Sequence, residues 1–252
     1  MDPEERRRKI IQLIEEKKFV TVSYLTKHLF SSEATIRRDL SNLEKEGYLR
    51  RTRGGALTVK EYYQEQPFDY KTNTQVEQKR HIADIAIDFI GSYQAVFMDS
   101  SSTCIYLARK MVAVDNLTVL SNGLSTSSLL SENEQIQVYC PGGWVLSKRN
   151  SIVGASTIDF ISKISADIAF VSCRGLDASF GASDFVKEVT DLKKAFRANC
   201  KQLVVLADSS KFQKKFYFQS LPLSDIDVII TDARPPADLM TACEKASVEV
   251  LY

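Results

Sequence analysis

Ser31-Ser32-Glu33-Ala34-Thr35-Ile36-Arg37-Arg38-Asp39-Leu40-Ser41-Asn42-Leu43-Glu44-Lys45-Glu46-Gly47 carries the pattern on which the fold of the N-terminal region turns. Ile36, Leu40 and Leu43 recur at i, i+4 and i+7. At 100° per residue they fall within about 60° of one another, which is one buried stripe of a helix. Ser31-Ser32 supplies the start signal and Gly47 the stop. Ala34, Arg37, Arg38 and Ser41 then point away from the stripe, with Thr35 and Asn42 on its shoulder. Arginine on an outer helix face can pair bidentately with guanine or hold phosphate. Ser32 and Thr35 sit at the helix start, where hydroxyls and free backbone N–H groups meet phosphate oxygens.

Two shorter helices are expected before this one. Asp2-Pro3-Glu4-Glu5 is a start signal, and Ile10, Ile11, Leu13 and Ile14 form the stripe that follows it. A second helix begins near Thr21 and carries Val22, Leu25 and Leu29. After Gly47, residues 48–57 read as two short strands around Gly54-Gly55, loaded with Arg50, Arg51 and Arg53. The sum is a winged helix-turn-helix layout, with one helix for the major groove and a hairpin whose glycine tip suits a narrow groove. On spacing alone, a small helical module that docks protein fits the same residues.

Composition sets the frame. A chain of 252 residues accommodates one large domain or two ordinary ones. With 44% hydrophobic and 26% charged residues it is globular, which excludes disorder and collagen-like structure. Taken whole, the net charge of +1 points to no nucleic-acid partner. It hides a split: residues 1–60 hold 14 Lys and Arg against 9 Asp and Glu, and the remainder holds 19 against 23. A basic head on an acidic body points to a polyanionic partner for the head. No apolar run is long enough for a membrane span, and residues 1–9 lack a signal-peptide core. The five scattered cysteines, without a CxxC, read as buried free thiols in a reducing cytoplasm. Two distant histidines give no zinc site, and neither a metal nor a cofactor is expected.

Residues 59–75, rich in Gln, Glu, Tyr and Thr, form the expected linker between a head of residues 1–58 and a body of residues 76–252. A helix is predicted over 76–90. Beyond Gly91, apolar runs at 95–98, 117–121, 136–140, 168–172, 203–207, 227–231 and 248–251 alternate with helical stretches at 103–113, 124–131, 154–164, 184–199 and 235–246. Continuous apolar strands alternating with helices imply an α/β domain whose mainly parallel sheet is covered on both faces.

In such sheets ligands bind beyond the carboxyl ends of the strands. Polar segments fall at those ends: Asp99-Ser100-Ser101-Ser102-Thr103, Ser121-Asn122-Gly123, Pro141-Gly142-Gly143, Ser172-Cys173-Arg174-Gly175 and Asp208-Ser209-Ser210-Lys211. Hydroxyls and close-approaching N–H groups at a strand-to-helix turn suit an anion. The same residues also cap helices for purely structural reasons.

Ser32–Leu40, then Leu43-Glu44, Gly47 and Arg51-Thr52-Arg53-Gly54-Gly55-Ala56, resemble the N-terminal motif of DeoR-type bacterial transcriptional regulators over about 30 residues. The resemblance makes the helix from Ser32 the recognition helix and residues 48–57 the wing. The implied DNA contacts are Ser32, Thr35, Arg37, Arg38, Ser41, Arg51, Arg53 and Gly54. Ser31 replaces the family's usual aliphatic residue, which is expected to alter packing at the turn. The body resembles the C-terminal sensor domain of that family, whose fold is similar to ribose-5-phosphate isomerases. The resemblance implies a phosphorylated sugar or related metabolite as effector. It implies contacts from Asp99, Ser100, Ser101, Ser102, Thr103, Asn122, Gly142, Gly143, Ser151, Arg174, Lys193, Asp208 and Lys211. Ser101 stands where the family has Gly, and Arg174 where a carboxylate is common. Arg174 is expected either to draw more negative ligands, such as a second phosphate, or to face solvent or an acid.

The function expected is a repressor of a sugar-metabolism operon that binds operator DNA as a homo-oligomer, dimer or tetramer, without membrane contact. The alternative is a sugar-phosphate isomerase with a fused DNA-binding head, for which Asp99, Glu188 and Asp208 are the candidate acid and base. RNA binding has little support, because the aromatic residues form no stacking platform.

Overall fold

The computed structural model describes residues 2–46, 48–58 and 68–252, with the side chains of Tyr70 and Ser147 excepted. Gly47, assigned above as a helix stop, and residues 59–67 of the expected linker lie outside the described residues. The chain divides into two compact units, Met1–Glu65 and Gln66–Tyr252.

In the first unit, α1 (Pro3–Lys17) starts where the sequence places it. The Asp2 carboxylate accepts the N–H groups of Glu4 and Glu5, satisfying donors that have no helical partner. β1 (Phe19–Thr21) leads into α2 (Val22–His28), whose first turn is capped by the Thr21 hydroxyl. α3 (Glu33–Lys45) is capped by Ser32. Phe30 turns the chain between α2 and α3 with a left-handed φ of 49°. Ser31, half-buried there, donates its hydroxyl to the Leu29 carbonyl, so its polarity is used within the turn. β2 (Leu49–Thr52) and β3 (Gly55–Thr58) form the hairpin, and β1 joins it to give an antiparallel sheet ordered β1-β3-β2. That third strand was not expected. Ile36, Leu40 and Leu43 are all buried as predicted, against Ile10, Ile14, Leu25 and Leu49.

The second unit begins with α4 (Phe68–Thr72), a helix inside the span expected as linker, and α5 (Val76–Ala86). Its centre is a seven-stranded parallel sheet. The strands are β4 (Ala95–Met98), β5 (Leu117–Ser121), β6 (Ile136–Tyr139), β9 (Ala166–Ser172), β12 (Cys200–Leu206), β14 (Val228–Ile230) and β15 (Glu249–Leu251). Their order is β15-β14-β12-β9-β4-β5-β6. Connecting helices are α6 (Cys104–Met111), α7 (Leu124–Leu130), α8 (Ala155–Ile161), α9 (Lys187–Ala198) and α10 (Ala237–Lys245).

Alternation along each strand sends neighbouring side chains to opposite faces. Phe97, Ala169, Val171, Leu203 and Val205 pack with Ile161, Leu192, Phe196 and Leu239 on one side. Val96, Met98, Ile168, Phe170, Val204 and Leu206 pack with Ile82, Leu107 and Met111 on the other. Both faces are covered, which is why the strands read as unbroken apolar runs.

Two small antiparallel assemblies were not expected. β7 (Trp144–Leu146) pairs with β8 (Ser151–Val153), and a three-stranded sheet is ordered β10-β11-β13, from β10 (Gly175–Asp177), β11 (Gly181–Asp184) and β13 (Phe218–Leu221). The expectation of buried cysteines holds for Cys104, Cys173 and Cys243. Cys140, just past the edge strand β6, is exposed, and Cys200 is half-buried.

Candidate DNA-reading surface and anion site

On the head, the Ser32 hydroxyl accepts the Thr35 N–H at 3.2 Å and lies 2.8 Å from the Thr35 hydroxyl. Arg37 and Arg38 are exposed, and Thr35 and Ser41 are half-buried. The two arginines differ. Arg37 donates to Glu33 one turn back, at 2.5 and 2.9 Å, whereas Arg38 has no ion-pair partner among the described residues. Asp39, beside them in sequence, is buried and receives Arg6 at 2.6 Å, with Arg7 at 3.6 Å. That pair fastens α1 to α3, a role the sequence did not disclose. On the wing, Arg51 and Arg53 are exposed, and the Arg51 N–H donates to Glu44 of α3 at 2.9 Å. Gly54 turns with φ 91° and has open space around it. A Cβ on Gly55 would stand 2.2 Å from the Val20 carbonyl oxygen, so this glycine lets β3 close on β1.

In the body, strand order reverses between β4 and β9, making their carboxyl ends the topological switch point. Asp99, at the end of β4, accepts the N–H of Ser101 and of Ser172, each at 2.9 Å, and so ties the two strand ends together. Ser101 in turn accepts the Cys104 N–H and caps α6. Ser100 and Ser102 are half-buried, and their hydroxyls make no hydrogen bond among the described residues. Lys211, from the loop after β12, donates to Ser172 Oγ at 2.7 Å, and its Nζ lies 3.5 Å from Thr103 Oγ1 and 3.5 Å from Asp208. Thus loops after β4, β9 and β12 converge on one ammonium group.

Lys193 of α9 is buried against Asp184, with Nζ 2.5 Å from one carboxylate oxygen, and stands 3.9 Å from Asp99. Burial pushes the Lys193 ammonium down in pKa, but Asp184 and Asp99 outweigh it and hold it above the usual lysine value. Burial likewise pushes the Asp208 carboxyl up, while Lys211 and the Ser210 hydrogen bonds bring it below the usual carboxylate range. Lys79, buried on α5, is lowered to about 8 by burial and then by Lys211. Its ammonium donates to the carbonyls of Lys71 and Thr74.

A family model described as the DeoR C-terminal sensor domain matches residues 74–233, and one described as the DeoR-like helix-turn-helix domain matches residues 6–62. The chain belongs to the DeoR family. Its relatives include the HTH-type transcriptional regulator GlpR of Haloferax volcanii, 31% identical over all of this chain and 98% of that one. GolR of Listeria innocua is 33% identical over 92% of this chain and 91% of its own. The glycerol-3-phosphate regulon repressor of Escherichia coli is 28% identical over 95% of each. All three are named as transcriptional regulators or repressors. Ribose 5-phosphate isomerase A of Methanocaldococcus jannaschii is similar over 55% of both chains, with a TM-score of 0.41 and 14% identity.

This DeoR-family regulator therefore joins a DNA-binding head to a sensor domain. Of the effector residues expected in the sensor, Asp99, Ser101, Thr103, Lys211 and Asp208 are linked directly or through Ser172, and Lys193 reaches the same cluster through Asp99. Asn122 and Ser151 form a neighbouring pair. The buried Asn122 donates to Ser151 Oγ at 2.8 Å and to the Ile152 carbonyl at 3.0 Å, and its own oxygen has no partner among the described residues. A Cβ on Gly123 would lie 3.0 Å from the Ser100 Cα, so this loop borders the first. Gly142 and Gly143 are exposed. The Gly142 carbonyl accepts from Thr157, and a Cβ on Gly143 would meet Thr157 Oγ1 at 2.4 Å, which is a packing reason for that glycine. Glu188, a candidate for the isomerase alternative, is exposed on α9.

Arg174 is half-buried with its guanidinium over the rings of Phe185 and Phe216, and it has no carboxylate partner among the described residues. It therefore meets neither an acid nor open solvent alone. Asp184 and Lys79 were not foreseen. A buried lysine such as Lys193 does demand a buried acid, but nothing local marks Asp184 as that acid. Among the described residues no helix is long and apolar enough to cross a membrane.

Proposed function

We propose that this protein represses a sugar-metabolism operon in the cytoplasm, and that a phosphorylated sugar held at the carboxyl ends of β4, β9 and β12 changes its affinity for operator DNA. Residues 1–58 are the DNA reader, residues 59–75 the linker and residues 76–252 the sensor. The observation that carries the effector assignment is the convergence of Lys211 on Ser172 and Thr103 at the switch point. Ammonium, hydroxyls and strand-end N–H groups together suit a phosphate dianion. Repression draws support from relatives named as repressors, among them the glycerol-3-phosphate regulon repressor and GlcR of Bacillus subtilis. On DNA, α3 enters the major groove with Arg38 and Arg37, Ser41 borders the same face, and Ser32, Thr35, Arg51, Arg53 and Gly54 meet the backbone or a narrow groove. One head covers one half-site, so a dimer or tetramer covers a full operator.

A thermal-shift screen of the full chain against phosphorylated sugars, followed by operator binding with and without the best ligand, tests this. A ligand that raises the melting temperature and changes operator affinity is the expected result. Lys211→Ala should remove both responses and leave ligand-free operator binding intact. A screen with no stabilising phosphorylated sugar would overturn the effector assignment. Loss of operator binding in Lys211→Ala would overturn the division of labour.

A further inference from the structure

Arg174 follows β9 by two residues, at the central strand end that also supplies Ser172. Its N–H donates to the Ser183 carbonyl at 3.0 Å, which fixes the backbone there. Its side chain is held by aromatic faces: the guanidinium carbon is 5.6 Å from the centre of Phe185 and 5.9 Å from that of Phe216. Arg149, from the turn between β7 and β8, lies 5.5 Å from the same Phe185 ring. Two guanidinium groups thus share one phenyl ring.

The surrounding acids are committed elsewhere. Asp184 has Lys193 at 2.5 Å and Arg149 at 3.9 Å. Asp99 accepts the Ser101 and Ser172 N–H groups and lies 3.9 Å from Lys193. Asp208 has Lys211 at 3.5 Å. Arg174 has no carboxylate within ion-pair distance among the described residues. Cation–π contact with two rings uses none of the guanidinium N–H donors, which leaves its fork for the bidentate geometry that carboxylate and phosphate take. A side chain already in contact with two rings has less freedom left to lose on binding.

We propose that Arg174 forms a second anionic subsite, so that the effector is a short sugar or sugar acid with an anionic group at each end. One end lies on Lys211, Thr103 and Ser172, and the other on Arg174. Arg174 and Ser172 are two residues apart, at most about 7 Å between Cα atoms, so one small molecule can reach both. The inference rests on the effector assignment proposed above and adds the ligand's second charge.

The test is calorimetric titration of the full chain with matched pairs: fructose 6-phosphate and fructose 1,6-bisphosphate, ribulose 5-phosphate and ribulose 1,5-bisphosphate, glycerol 3-phosphate and 3-phosphoglycerate. In at least one pair the doubly anionic member should bind about ten- to hundredfold more tightly, the range expected of a hydrogen bond to a charged group. Arg174→Met keeps an apolar stem against Phe185 and Phe216 and removes the charge. It should weaken the doubly anionic ligand at least about tenfold more than its partner. Arg174→Lys, which keeps the charge without the fork, should recover part of that difference. Circular dichroism confirms folding of each variant. Equal affinities within every pair, or equal losses in Arg174→Met, would overturn the second subsite and leave the phosphate site standing. If no member of any pair binds, both proposals fall.

Discussion

The head and the body hold their positive charge in opposite environments. Arg37, Arg38, Arg51 and Arg53 are exposed on the head, where the surrounding water weakens any single ion pair. Lys193 and Lys79 in the body are 2% and 3% exposed, with Asp99, Asp184 and Asp208 buried beside them or nearby. The head's arrangement suits a long polyanion, because many weak, salt-sensitive contacts add along a backbone. The body's arrangement suits one small anion, because Lys193 and Lys211 already have carboxylate partners while Lys79 meets carbonyl oxygens, and a ligand must enter that local balance. On the proposed function the same residue types would serve different partners, and burial is what separates them.

The largest contrast should appear in stability. Lys193→Met leaves Asp184 buried with its main partner gone, and should cost about 3–5 kcal/mol in urea unfolding of the full chain. Arg38→Ala, on the exposed surface, should stay within about 0.5 kcal/mol. Replacing both Lys193 by Met and Asp184 by Leu should recover much of the loss, since the uncompensated charge goes with its partner. A loss under about 1 kcal/mol for Lys193→Met would mean that the pair is hydrated in solution, and the contrast would collapse.

Operator binding should invert the ranking. Arg38→Ala is expected to weaken it by about 1–3 kcal/mol in fluorescence anisotropy at fixed salt, the range for a bidentate base contact. Arg37→Ala should cost less, because Arg37 must first leave Glu33, a pair worth about 0.3–0.5 kcal/mol. A larger loss for Arg37 than for Arg38 would reverse their assignment on the groove. Lys193→Met, where it stays folded, should leave ligand-free operator binding unchanged. Ser32→Ala should act on both scales by removing the α3 cap, for about 1 kcal/mol of head stability.

The sequence makes periodicity visible and leaves long-range pairing hidden. Each of the seven apolar runs became a strand of the parallel sheet, and in inner strands such as β9 and β14 burial on both faces writes itself into consecutive residues, whereas the edge strands β6 and β15 keep exposed positions. Helix α3 was legible through its own periodicity, in Ile36, Leu40 and Leu43. β11 was not, since Gly181-Ala182-Ser183-Asp184 is short, small and without alternation, and it exists through pairing with β10 and β13. Asp184 was lost with it. The strand-end loops were legible as candidate anion ligands, because βα turns fall where strand meets helix. Lys79 and Arg149 enter from elements whose position depends on tertiary packing, so no local pattern points to them.

The smallest expected effect concerns Lys79 and joins burial to ligand binding. Its folded pKa is about 8, against an ordinary lysine value of 10.5. Below about 8 both the folded and unfolded chains carry the proton, and the full cost of burying the charge is present. Between 8 and 10.5 the unfolded chain holds more protons than the folded one, so stability contributed through Lys79 rises with pH. From pH 8 to 9 the gain should not exceed about 1.4 kcal/mol, one unit of pH acting on one proton. Urea unfolding of Lys79→Met across that window should lack this rise; an identical rise would assign it to another group. Burial is the main cause of the lowered value and the nearby Lys211 charge the second. A phosphate dianion on Lys211 would offset that repulsion and raise the Lys79 pKa. Near pH 8.5, ligand binding should then take up a fraction of a proton. Titrations in two buffers of different ionisation enthalpy should give different apparent heats, and Lys79→Met should bring them together. Equal heats in the unaltered protein would show that the anion does not reach the field of Lys79, and would move the phosphate away from Lys211.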